Sequence, residues 1–155
     1  MKKIISAATV LALMVMVQAL GLAAEVSCSA RDSVCKDFAK LTNAGQFEQL
    51  IARVDATQSY SRDARDMIGQ AYLLLAGKEG NTPEQEEQLC RKALEYGATS
   101  AYMGLYFLYS GTDSEAALGF LKQYIATGAS DAVPYVLLGE AEMDKQHYTA
   151  AHTYF

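Results

Sequence analysis

From about residue 31 onward the chain runs in stretches where apolar residues return at helical spacing, separated by residues that start and stop helices. Thr82-Pro83-Glu84-Gln85 and Thr112-Asp113-Ser114-Glu115 read as capping-box starts, each with a threonine hydroxyl for the orphan amides of a first turn and a Gln or Glu three residues later. Gly45, Gly97, Gly111 and Gly128 fall where helices should stop, because glycine enters a left-handed C-cap without steric cost. No run between them alternates with the period of two that a half-buried strand needs. The pattern predicts eight helices, at about 31–43, 46–57, 61–76, 83–96, 99–110, 113–127, 131–145 and from 147 to the end.

The helices repeat. Gly69, Gly104 and Gly139 stand 35 residues apart, and Ala116 with Ala151 and Phe120 with Phe155 share the interval. A fixed period in that range is the signature of stacked repeats, each burying its apolar face only against its neighbours. The three glycines fall inside first helices, where glycine costs about 1 kcal/mol relative to alanine. Close approach of a partner helix is the expected compensation.

Tyr135-Val-Leu-Leu138-Gly139, then Tyr148, then Ala151 to Phe155, has the W-x2-L-G and A-x3-F skeleton of the tetratricopeptide family, with Tyr in place of Trp. The unit before it carries Met103-Gly104, Phe107 and Ala116-x3-Phe120. Ile68-Gly69-x2-Tyr72, leading through Gly77 and Gly80 to Cys90, Ala93 and Gly97, resembles the Sel1 variant of the same helical pair. The first unit, Phe38 to Val54, fits loosely, so the resemblance covers about residues 61–155. The chain departs from the pattern at Glu142, where an aromatic is usual, and at Glu86, where a small residue is usual.

The resemblance implies an all-α superhelical solenoid of about four helix-turn-helix repeats, the first helix of each lining a concave groove. The groove places are then Asp63, Asp66, Gln70, Leu73 and Leu74; Ala101, Leu105, Leu108 and Tyr109; and Val136, Glu140, Met143 and Asp144. That set is apolar at its centre and acidic at its ends, and Ala101 to Tyr109 is apolar nearly all round, as when neighbours and a ligand both cover a helix. A protein or peptide segment with apolar anchors and some basic residues fits such a groove; the Lys and Asn pattern with which chaperone-binding members clamp a terminal carboxylate is absent. Burial of the same face by further repeats or by the array's own curvature is the competing reading.

The N-terminus bears on location. Lys2 and Lys3, an apolar stretch from Ile4 to Val17 and the small-residue segment Gly21 to Ala24 follow the order of a secretory signal, with cleavage expected after Ala23 or Ala24. The alternative is an uncleaved anchor over Ile4 to Ala24; a lipoprotein start at Cys28 is disfavoured by Glu25, where such signals carry an aliphatic residue. Removal of residues 1–24 takes two of the 13 basic residues and none of the 18 acidic ones, moving the net charge from -5 to -7. An acidic surface argues against nucleic acid and anionic membranes as partners. The mature part, residues 25–155, is long enough for one domain, with no membrane span and no low-complexity tract.

Export makes a disulfide between Cys28 and Cys35 permissible. Cys90 then takes the core-facing place that Phe120 and Phe155 hold in the later units, or pairs with Cys28, Cys35 or another chain. His147 and His152 lie five apart, which is not the one-face spacing of a metal pair, and Glu84, Glu86 and Glu87 form an acidic run that a helix N-terminus explains. With no C-x-x-C, P-loop or G-x-S-x-G, no catalytic residue, metal site or cofactor is assigned. Phe155 falls inside a second helix whose apolar side has not closed, so a longer protein is expected.

The function expected is therefore a non-enzymatic, periplasmic or secreted scaffold or assembly factor that holds a partner segment in its groove. The alternative is the regulatory or targeting repeat domain of a cell-envelope enzyme whose catalytic part lies beyond residue 155; a small-ligand binder stapled by cysteines would require a deep closed pocket.

Overall fold

The computed structural model describes residues 28–155, so the signal expected over residues 1–24 lies outside the described residues. Among the described residues the chain is all-α, with eight helices and no strand: α1 Ser33–Asn43, α2 Phe47–Ala52, α3 Arg62–Ala76, α4 Pro83–Glu95, α5 Ala101–Tyr109, α6 Ser114–Ala126, α7 Ala132–Asp144 and α8 Tyr148–His152. None of these helices is long and apolar enough to cross a membrane.

Local chemistry sets the boundaries. The Thr82 capping box forms as expected: the Gln85 amide donates to the Thr82 hydroxyl at 3.3 Å, and Gln85 Oε1 accepts from the Thr82 amide at 2.9 Å. At the other predicted box the cap moves by one residue. Asp113 accepts from the Ala116 amide at 3.0 Å, while the Thr112 hydroxyl turns back to the Tyr109 carbonyl. A carboxylate at the N-cap also gains from the helix dipole, which a hydroxyl does not. Gly45, Gly97 and Gly128 take positive φ as helix stops, but Gly111 does not; after α7 the left-handed residue is Gln146, at φ 61. The second helix is shorter than its apolar pattern. Asp55 accepts from the Thr57 amide and hydroxyl at 2.8 and 2.7 Å and donates its own amide to the Tyr60 hydroxyl, a local side-chain network that replaces helix beyond Ala52.

Packing is serial. Each helix lies against its neighbours in sequence, and α1 also reaches α3. The core accordingly divides into three clusters: Cys35, Phe38, Leu41, Leu50, Ala64, Met67, Ile68 and Ala71 across α1–α3; Leu73, Ala76, Cys90, Ala93, Ala98, Ala101 and Leu105 across α3–α5; and Met103, Leu121, Tyr124 and Leu138 across α5–α7. Helices α3 and α5 each contribute to two clusters, joining one to the next. The close approach expected at Gly69 is present: a Cβ there would lie 3.0 Å from that of Ala98 and 3.3 Å from the Ala93 carbonyl.

The last pair breaks the pattern. By the 35-residue interval Val133, Val136 and Glu140 correspond to Ala98, Ala101 and Leu105, all three buried in the α3–α5 cluster, yet on α7 these places face solvent. Helix α7 instead buries Pro134, Leu138 and Gly139, with Leu138 packed back toward Met103, Leu121 and Tyr124. Leu138 and Gly139 hold the places of Met103 and Gly104, which α5 also buries, so α7 keeps that face and leaves the other uncovered.

Candidate functional site

The predicted groove residues fall into three environments. Leu73, Ala101 and Leu105 are core, at 3%, 0% and 0% exposure, and cannot receive a partner. The expectation for them is corrected by the α3–α5 cluster, in which the three helices cover one another's apolar faces. Gln70, Leu74, Leu108, Tyr109 and Asp63 are half-buried, and Asp66 is exposed. The Tyr109 ring packs on Phe120 with centroids 5.5 Å apart. Its hydroxyl lies beside Glu87, which raises its pKa; Glu87 is itself paired with Arg91 at 2.7 Å. Tyr109 is thus engaged by α4 and α6.

Val136, Glu140, Met143 and Asp144 are exposed, and they lie together. Val133, Val136, Glu140 and Met143 follow at i, i+3, i+7 and i+10, one stripe along α7. Three of the four are large apolar side chains 42–47% exposed, and with Tyr148 and Phe155 they make up all the exposed large hydrophobics among the described residues. The Phe155 ring lies over Gly139, beside the stripe; a Cβ at 139 would come within 2.5 Å of it. Val133, Tyr148 and Phe155 were not anticipated as site residues. Phe155, expected at the core-facing place of its unit, is instead 72% exposed, and Val133 and Tyr148 carried no signal beyond apolar character.

Charge around the stripe is uneven. Glu142 lies on the less exposed side of α7, accepts from His147 Nδ1 at 2.9 Å, and has Lys145 at 3.9 Å. The hydrogen bond to His147, followed by Lys145 and Lys122, holds its carboxyl below the usual range. These contacts tie α7 to α8 through the residue where the repeat pattern has an aromatic. Among the described residues no cation comes within ion-pair distance of Glu140 or Asp144.

The cysteines divide as the arithmetic allows. Cys28 and Cys35 bring their sulfurs to disulfide distance, 2.02 Å, with Cα atoms 5.7 Å apart, fastening the segment before α1 onto that helix. Cys90 is free and buried, and desolvation, with Glu86 and Glu87 adding to it, pushes its thiol up to about 12. No described polar or charged residue is fully buried, and no described group of three or more His, Cys, Asp or Glu could hold a metal ion. An open depression of ≈ 660 Å³ over α3 and α4 is lined by Tyr72, Gln85, Leu89, Arg91, Lys92 and Glu95 among others, and its charges already have partners, Lys92 with Glu95 and Arg91 with Glu87, each at 2.7 Å. Compared with family models, curated proteins and solved structures, the chain matches none.

Proposed function

We propose that this chain is an exported, non-enzymatic scaffold of tetratricopeptide- and Sel1-like helical repeats, periplasmic or secreted, that docks a protein or peptide partner on the α7–α8 pair. The observation that carries the reading is the exposed stripe Val133, Val136 and Met143, with Tyr148 and Phe155 near its end. Large apolar side chains gathered on one face rather than scattered singly mark interaction surfaces. The serial core supports the solenoid part, since each cluster closes only on the helices beside it. The disulfide-distance pair Cys28–Cys35 supports an oxidising compartment. Relative to the sequence-based expectation, the docking surface moves from the centre of the groove to α7.

The test is site-specific photocrosslinking in the producing cell, with a benzophenone residue at Val136 and, as a control, at the exposed Gln49 of α2. Discrete adducts at 136 and none at 49 are expected. Equal labelling at both positions, or none at 136, rejects the docking surface; an intact mass retaining residues 1–24 in the exported fraction rejects cleavage of the signal.

A further inference from the structure

Resting on that docking surface, the chemistry of the stripe selects its occupant. We infer that α7 takes a partner helix whose apolar stripe is interrupted by one lysine or arginine, placed to meet Glu140. Glu140 stands in the middle of the apolar row, exposed, with Val136 before it and Met143 after it. Any helix that covers Val136 and Met143 together also covers Glu140, and a carboxylate taken from water without a countercharge is strongly disfavoured. This chain offers none nearby: of the Lys and Arg residues from 96 to 155 there are only Lys122 and Lys145, against six acids, and Lys145 is turned to Glu142. Asp144, one residue past Met143, extends the acidic edge of the same face.

The same residue disfavours a second copy of the chain. In a two-fold antiparallel pairing that sets Val136 of one copy on Met143 of the other, the two Glu140 carboxylates meet at the centre of the seam. A parallel in-register pairing opposes them as well, and sliding the helices by one turn buries each carboxylate against valine. A foreign helix with apolar residues flanking one cation satisfies all four positions, as amphipathic helices do when laid into apolar grooves. The cation sets specificity and the apolar anchors supply contact area.

The experiment uses the full exported chain and two synthetic helical peptides, identical except for a lysine or a glutamate at the centre of a leucine stripe, with affinity read by fluorescence anisotropy. The lysine peptide should bind at least about tenfold more tightly. In Glu140→Lys the preference should reverse. Equal affinity for the two peptides, lost in Val136→Asp, overturns the charge rule and leaves the docking surface standing. Binding indifferent to Val136→Asp, or no binding of either peptide by the folded protein, removes the surface itself. Concentration-dependent dimerisation abolished by Val136→Asp, seen by sedimentation without peptide, gives the stripe to a second copy and overturns the inference.

Discussion

Two glycine-to-alanine substitutions, at Gly69 in α3 and Gly119 in α6, separate helix propensity from packing. Each glycine lies inside a helix, where alanine is favoured by about 1 kcal/mol. At Gly119 no heavy atom lies within 4 Å of the added Cβ, so Gly119→Ala should stabilise by about that amount. At Gly69 the Cβ meets Ala98 Cβ at 3.0 Å and the Ala93 oxygen and Ala98 nitrogen at 3.3 Å. Those atoms form the turn that ends α4: the Ala98 amide donates to the Ala93 carbonyl at 3.0 Å, with Gly97 at φ +94, a Schellman arrangement. A backbone held by its own hydrogen bonds cannot withdraw without lengthening them, and overpacking of this kind costs about 1–3 kcal/mol. Gly69→Ala should therefore run from neutral to about 2 kcal/mol destabilising, leaving the two variants about 1–3 kcal/mol apart. Urea unfolding gives the difference from the midpoints, provided the slopes agree. Gly69→Ala stabilising the protein as much as Gly119→Ala would refute the close approach of α3 to the α4–α5 turn.

Val136→Asp and Met143→Asp should leave helicity and Tm near wild type, whereas Leu105→Asp, which places a carboxylate at a site with 0% exposure, should unfold the protein; circular dichroism on heating checks both. Replacing Cys28 and Cys35 by serine should cost about 2.5 kcal/mol by loop-closure entropy, read as a lower urea midpoint, and a midpoint unchanged from the oxidised parent would deny the crosslink. Because the Cys90 thiol titrates at about 12 when folded and near 9.0 when free, its contribution is complete below pH 9 and is lost as pH rises toward 12. Stability should fall there by up to about 1.4 kcal/mol per pH unit, and pH-dependent denaturation should show the decline flattened between pH 9 and 10 in Cys90→Ala. Asp113→Ala should cost about 1 kcal/mol and Thr112→Ala much less; the reverse order in thermal melts would return the cap of α6 to the threonine.

The helices were legible where periodicity and punctuation agree: α3, α4, α6 and α7 match the expected segments to within a residue or so at each end. They were less legible where a side chain competes with the backbone, as Asp55 does beyond α2, or where two capping residues stand side by side, as Thr112 and Asp113 do. The site was half visible. Residues 101–109 are apolar on all sides, and a helical period cannot tell which side a neighbour covers, so Leu105 and Tyr109 could not be sorted into core and surface. On α7 the resemblance pointed to Val136, Glu140 and Met143, but it gave no sign of Val133, which is exposed beside them. What differs on α7 is that no helix covers Val133, Val136 and Glu140 as α3 and α4 cover Ala98, Ala101 and Leu105, and such tertiary cover is not encoded in a single-sequence pattern.

The serial core bears on how the chain acquires its structure. Its helix contacts are mainly between neighbours in sequence, and its clusters reach no further than the next helix but one, so few long loops have to close before contact is made, and low contact order of this kind goes with fast folding. The buried residues of the α1–α3 cluster are all present once residue 76 is available, Tyr96 packing on its edge later, and the Cys28–Cys35 crosslink joins residues only seven apart at its leading edge. A chain emerging N-terminus first can therefore set each unit on a finished predecessor, with the stripe on α7 presented only after α1–α6 are in place.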